Sequence, residues 1–244
     1  MRHQKTHDSS RAAKAQRRTH REARPRTGHG DGLRILSLGG PADPRLLRRT
    51  LKAFTEVDMG GSWSSFEPRV MPLLKRVRHQ FPAEAAPIHL RIPPGVMAGF
   101  GIDVGPAWAH VSRDLMIRWG VDEATILGAA LENLRQRIVT EPPRIEQATF
   151  ADAAAIVIQA QGWGSALILA PDRLASILGE GPRILLTPVR NALIALPEDV
   201  EMDLAVEIWD AFAEGCADEL DVDPMRWTGS SVVAFHDESV GIVN

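Results

Sequence analysis

The sequence predicts an α+β fold, with an antiparallel or mixed sheet built from adjacent strand pairs and amphipathic helices packed against it. Three observations predict it. Within residues 163–210, two apolar runs, Arg183 to Thr187 and Ala192 to Leu196, flank a short Arg190-Asn191 link, and an amphipathic helix pattern follows. Apolar runs elsewhere arrive in neighbouring pairs between helices, which disfavours the strict alternation of a doubly wound parallel sheet. From Glu123 to about Val139, Ile126, Ala130, Leu134 and Ile138 recur at every fourth position with Leu127 and Leu131 alongside, which is one apolar helix face.

Residues 1–30 contain no Leu, Ile, Val, Phe or Trp. Such a segment buries too little apolar surface to offset the entropy of ordering, so it reads as a disordered basic arm. Leu33 to Leu38 reads as a strand. Asp43 is placed to cap a helix from Pro44 to about Val57, with Leu46, Leu47, Leu51 and Phe54 on its apolar face. Val70 to Phe81 is ambiguous: Val70, Leu73, Leu74 and Val77 have helical spacing, but Pro72 permits a helix only near its start.

Pro87 to Val111 reads as strands. Ile88 to Ile92 alternates, Pro93-Pro94-Gly95 turns the chain, and Val96 to Val104 with Ala107 to Val111 forms a hairpin about Gly105-Pro106. Ser112 caps a short helix stopped by Gly120, and Asp122 caps the long helix that Pro142-Pro143 ends. Ala155 to Gln161 and Ser165 to Ala170 read as a second strand pair around Gly162-Trp163-Gly164. Pro171 begins a helix to Leu178, and Met202 to Ala213 carries Leu204, Ile208 and Phe212 on one helix face. The expected domain therefore spans residues 31–215. The segment 216–244 is acidic and weakly patterned, apart from a strand pattern at Ser231 to Phe235, and is expected to pack on the domain.

Composition narrows the function classes. A single cysteine, Cys216, excludes an internal disulfide and favours a cytoplasmic setting. No apolar run reaches the roughly 18 residues of a spanning helix, and no apolar segment follows the basic start as in a secretory signal. The net charge of −3 conceals an asymmetry: residues 1–30 hold nine Lys or Arg against Asp8 and Glu22, a net +7, leaving −10 on the rest. A basic arm on an acidic domain permits non-specific phosphate contact with nucleic acid. The arm lacks the interleaved aromatics that stack bases.

Three segments together carry a family resemblance. The first is Asp103-Val-Gly-Pro-Ala-Trp-Ala-His-Val-Ser112, followed by Leu115, Trp119-Gly120-Val121 and Ala130-Leu-Glu-Asn-Leu134. The second is Ser165 to Leu169, and the third is Pro188-Val-Arg-Asn191 before Ala192 to Pro197. Over roughly residues 65–215 the chain resembles the YtpQ-like bacterial proteins, a family of unknown function. In that family a Pro-Thr-Arg-Asp turn joins two apolar strands, where this chain has Val189 for Thr and Asn191 for Asp. The resemblance implies a fold rather than an activity, and Asn191 lacks the carboxylate its counterpart would offer.

The candidate site residues each carry two readings. Arg190 is either a solvated link residue or a guanidinium presented at a sheet end to grip a carboxylate or phosphate. Asn191 suits a tight link in the left-handed conformation. Glu132 lies beside the apolar stripe of the long helix, facing either a cleft or solvent. His110 is by default a half-buried structural histidine. Trp63, Trp163 and Trp227 fall in expected loops and are the candidates for partner contact. His236-Asp237-Glu238 reads as surface. No H-E-x-x-H, G-x-S-x-G, C-x-x-C or phosphate-loop pattern occurs, and Gly99, Gly101 and Gly105 match the dinucleotide fingerprint neither in spacing nor in context.

The expectation is a cytoplasmic module, non-enzymatic and without cofactor or metal, that binds a protein partner or a small anionic ligand. One alternative is a hydrolase or phosphate-handling enzyme built on Arg190, Glu132 and His110. The other is a nucleic-acid accessory protein acting through residues 1–30.

Overall fold

A computed structural model describes residues 60–75 and 87–235, except Pro106 and Ala217, together with Arg45, Arg48, Arg49 and Lys52. Those four residues are helical and exposed. The expectations for the arm, for a strand at Leu33 and for His236 to Glu238 lie outside the described residues, as does the rest of the helix after Asp43.

A short helix α1 (Trp63–Phe66) and a 3-10 turn (Glu67–Arg69) lead into β1 (Val70–Leu74). β2 (His89–Ile92), β3 (Val96–Asp103) and β4 (Trp108–His110) complete a four-stranded sheet. In it β3 is paired on one edge with β1 and on the other with β2 and β4, all antiparallel. β1 settles the ambiguity at Val70 in favour of a strand. All five of its residues are buried, so no alternation is visible. Pro72 has no N–H to donate to a ladder and is accommodated because β1 is an edge strand.

Two helices follow. Ser112 Oγ accepts from Leu115 N at the start of α2 (Arg113–Trp119), and Gly120 ends it at φ 67°. Asp122 Oδ1 accepts from the Thr125 amide at 2.8 Å to begin α3 (Glu123–Thr140). The chain then forms β5 (Arg144–Phe150), β6 (Ala153–Gln159), a 3-10 helix (Gly164–Leu169), α4 (Pro171–Leu178), β7 (Arg183–Leu186), β8 (Ala192–Pro197), α5 (Met202–Ala213), β9 (Met225–Trp227) and β10 (Val232–Ala234). The second sheet is six-stranded and antiparallel, in the order β10-β9-β7-β8-β6-β5. The fold is therefore α+β, with antiparallel sheets.

One expectation is corrected here. Ser165 to Ala170 is not a strand: residues 164–169 form a 3-10 helix buried along its whole length. A short continuous apolar run does not distinguish a buried strand from a buried helix. The partner of β6 on that side is instead β5, whose sequence RIEQATF is polar because the strand lies at the sheet edge. The segment after residue 215 supplies β9 and β10 to the second sheet, β10 falling within the strand expected over Ser231 to Phe235.

The stripe of α3 is shared between two cores. Ile126 and Ala130 pack with Val70, Phe100, Ile102, Met116 and Trp119. Leu134 and Ile138 belong to the larger cluster, with Leu167 and Leu174 and with Ile158, Leu185 and Leu193 from one face of the second sheet. The opposite face carries Val157, Ile184, Ile194 and Leu196, each at most 1% exposed. There the Phe150 ring lies 6.1 Å from that of Phe212 on α5.

Candidate functional site

The buried polar residues are concentrated in neighbouring segments of the chain's fold. Six polar or charged residues are buried among the described ones, and five of them are Gln159, Ser165, Thr187, Arg190 and Asn191. The sixth, Ser112, caps a helix. The five belong to three segments, the end of β6, the start of the 3-10 helix and the β7–β8 connection, which main-chain hydrogen bonds hold together.

Main-chain hydrogen bonds fix the connection, residues 187–191, from two sides. Arg190 O accepts from Ser165 N at 3.0 Å and Asn191 O accepts from Ala160 N at 3.0 Å. On the other side Arg190 N donates to Asp218 O at 3.3 Å and Leu220 N to Pro188 O at 3.0 Å. Gly164 packs so tightly under Asn191 that a Cβ would lie 2.4 Å from the Asn191 carbonyl oxygen. The register sets Gln159 against Ala192, next to Asn191.

Three of these side chains have polar atoms with no hydrogen-bond partner: Gln159 Nε2 and Oε1, Ser165 Oγ and Thr187 Oγ1. Each such buried group costs about 1–3 kcal/mol, so a group of them is unusual. Arg190 is buried too, only 6% exposed. Arg190 is thus not a solvated link residue. Nor does Asn191 adopt the left-handed conformation: among the described residues the only non-glycine with positive φ is Ala151. Asn191 Oδ1 instead accepts from Gly162 N at 2.6 Å.

Through Gly162 the cluster backs onto an open cleft of about 80 Å³, lined by Asp103, Trp108, Arg137, Glu141 and Gln161 among others. Arg137 Nη1 donates to Asp103 Oδ2 at 2.5 Å, its Nε donates to Glu141 Oε2 at 3.1 Å, and its guanidinium carbon lies 5.6 Å from the Trp108 ring centre. Burial opposes the charge on Arg137, but the two carboxylates outweigh it and raise its pKa above the ordinary value. Gly162 is at φ 81°, and a Cβ there would come within 2.5 Å of Trp108 Nε1.

None of His110, Glu132 and Arg190 lines this cleft. Glu132 is on the solvent side of α3, 59% exposed at its side chain, paired with Arg135 and accepting from Gln136. His110 is half-buried on β4 opposite Gly101, on the same sheet face as His89 opposite Gly99. The tryptophan expectation fails at two of three positions. Trp163 and Trp227 are 2% and 0% exposed, and Trp227 Nε1 donates to Gly179 O at 2.9 Å from within β9. Trp63 is half-buried, its ring 5.6 Å from that of Trp119. Among the described residues no cluster of His, Cys, Asp or Glu is arranged to hold a metal, and no helix is long and apolar enough to cross a membrane.

Sequence reasoning missed Gln159, Ser165 and Thr187, as well as Asp103 and Arg137. The first three had a signal, since each is a lone polar residue at the border of an apolar run. Asp103 stands at the head of the first resemblance segment, whereas nothing marked Arg137. No protein-family model matches the chain, and no curated protein or solved structure matches it either.

Proposed function

We propose that the domain is a binding module for a small oxyanion, a carboxylate or phosphate group, received at the β7–β8 connection. The observation that carries this reading is the set of buried polar side-chain atoms without a hydrogen-bond partner on Gln159, Ser165 and Thr187, in segments whose main chains are joined to that of the buried Arg190. Hydroxyls, a carboxamide and a guanidinium are the donors that recognise an oxyanion, and arginine suits it by its planar fork. Membership of the YtpQ-like family belongs to the same proposal. It is supported by the place of the motif residues: Asn133 Nδ2 donates to Glu67 O and Val70 O, and Arg190 and Asn191 form the end of the connection. A cytoplasmic location is part of this reading as well.

Calorimetric titration of the full chain with inorganic phosphate and with acetate tests the proposal. Binding of one of them, lost in Arg190→Gln and weakened in Ser165→Ala but kept in Glu132→Ala, is the expected result. No binding by the wild-type chain, together with a higher unfolding midpoint in Thr187→Val, would show that the cluster is only a polar flaw in the core.

A further inference from the structure

The two edges of the six-stranded sheet are unlike. β10 is three residues long. β5 is seven residues long and pairs with β6 through every residue, from Arg144 against Gln159 to Phe150 against Ala153, with no bulge. Among the described residues nothing pairs with its outer edge. Natural edge strands are commonly blunted by proline, lysine, a bulge or shortness. β5 has no proline, lysine or bulge, its two charges Arg144 and Glu146 pair with each other, and it exposes Ile145, Gln147 and Thr149 on one face, Ile145 being 48% exposed.

We propose that the outer edge of β5 is an interface between two copies of this chain, paired antiparallel about a twofold axis at Gln147 and joining the two sheets. The sequence of the strand supports this occupant. The axis sets all seven residues in register: Arg144 opposite Phe150, Ile145 opposite Thr149, Glu146 opposite Ala148, and Gln147 opposite itself. No two like charges stand opposite each other, a cation meets an aromatic ring, and two β-branched side chains meet, which are favourable cross-strand pairs. Arg144 and Glu146 pair within each strand, so the edge is neutral on a domain that is otherwise acidic. Such an isologous contact is the ordinary way a chain forms a dimer. One strand pair is a small interface, so the dimer is weak and concentration-dependent.

Sedimentation velocity of the full chain from about 1 to 500 µM tests the proposal. The expected result is a shift from monomer to dimer mass across this range. Two double variants fix the register. Ile145→Lys with Thr149→Lys sets lysine against lysine, and Ile145→Glu with Thr149→Glu sets glutamate against glutamate. Each alone should weaken the dimer at least about tenfold, and an equimolar mixture should restore it. All four changes fall on exposed positions, and circular dichroism of each variant confirms the fold. A wild-type chain that stays monomeric throughout, or double variants that dimerise as it does, overturns the proposal.

Discussion

Gly162 N donates to Asn191 Oδ1 at 2.6 Å, and on its other side Gly162 lies against the Trp108 indole. One residue thus joins the wall of the open cleft to the buried connection between β7 and β8. Asn191→Ala removes the acceptor and leaves the buried Gly162 amide unpaired. The expected loss is about 1–3 kcal/mol in urea unfolding. Gly162→Ala should be at least as damaging, since it combines a positive φ with a Cβ too near Trp108 Nε1. Unfolding midpoints equal to wild type in both would refute the coupling.

Arg137 connects the β3–β4 hairpin to α3 through Asp103. Both side chains are about one-fifth exposed, so solvent screens the pair only in part. Arg137→Met should cost about 1–2 kcal/mol, less than a fully buried pair and more than a surface one. Asp103→Asn should cost less, because its amide still accepts from Arg137. Chemical denaturation of the two variants at low ionic strength compares them directly.

Leu134 is fully buried and lies beside the place where the α3 stripe passes from one core to the other. Leu134→Ala should cost about 2–5 kcal/mol. Because one helix serves both cores, the whole described domain should still melt in a single transition at a lower temperature. Two resolved calorimetric peaks would show that the cores are independent.

What the sequence made legible follows from where each residue sits. The α3 stripe was visible because its helix is half-buried, so Ile126, Ala130, Leu134 and Ile138 stand out against polar neighbours. β7 and β8 were visible as apolar runs beside a link. β5 was not, because an edge strand such as RIEQATF has little apolar signal, and residues 164–169 look like a strand because burial on all sides erases periodicity. Arg190 and Asn191 were found as a pair, but their burial depends on the 160–165 turn and the 218–220 segment, both distant in sequence. The pairing of Arg137 with Asp103, 34 positions apart, has no local signature.

His89 supplies the pH dependence. Burial, and then the charge of Lys75, lower its pKa below the ordinary value of 6.5, while a backbone hydrogen bond at Pro87 opposes the shift less strongly. In the unfolded chain the ring titrates near 6.5, so below that pH the unfolded state binds more protons than the folded one. The stability contribution is complete above pH 6.5 and is lost as pH falls from there to the lower folded pKa. Urea midpoints at about pH 7.5 and pH 5.5 should therefore differ by more in the wild-type chain than in His89→Gln. His110, on the same sheet face, provides the comparison: if His110→Gln removes the dependence and His89→Gln does not, the assignment to His89 is wrong.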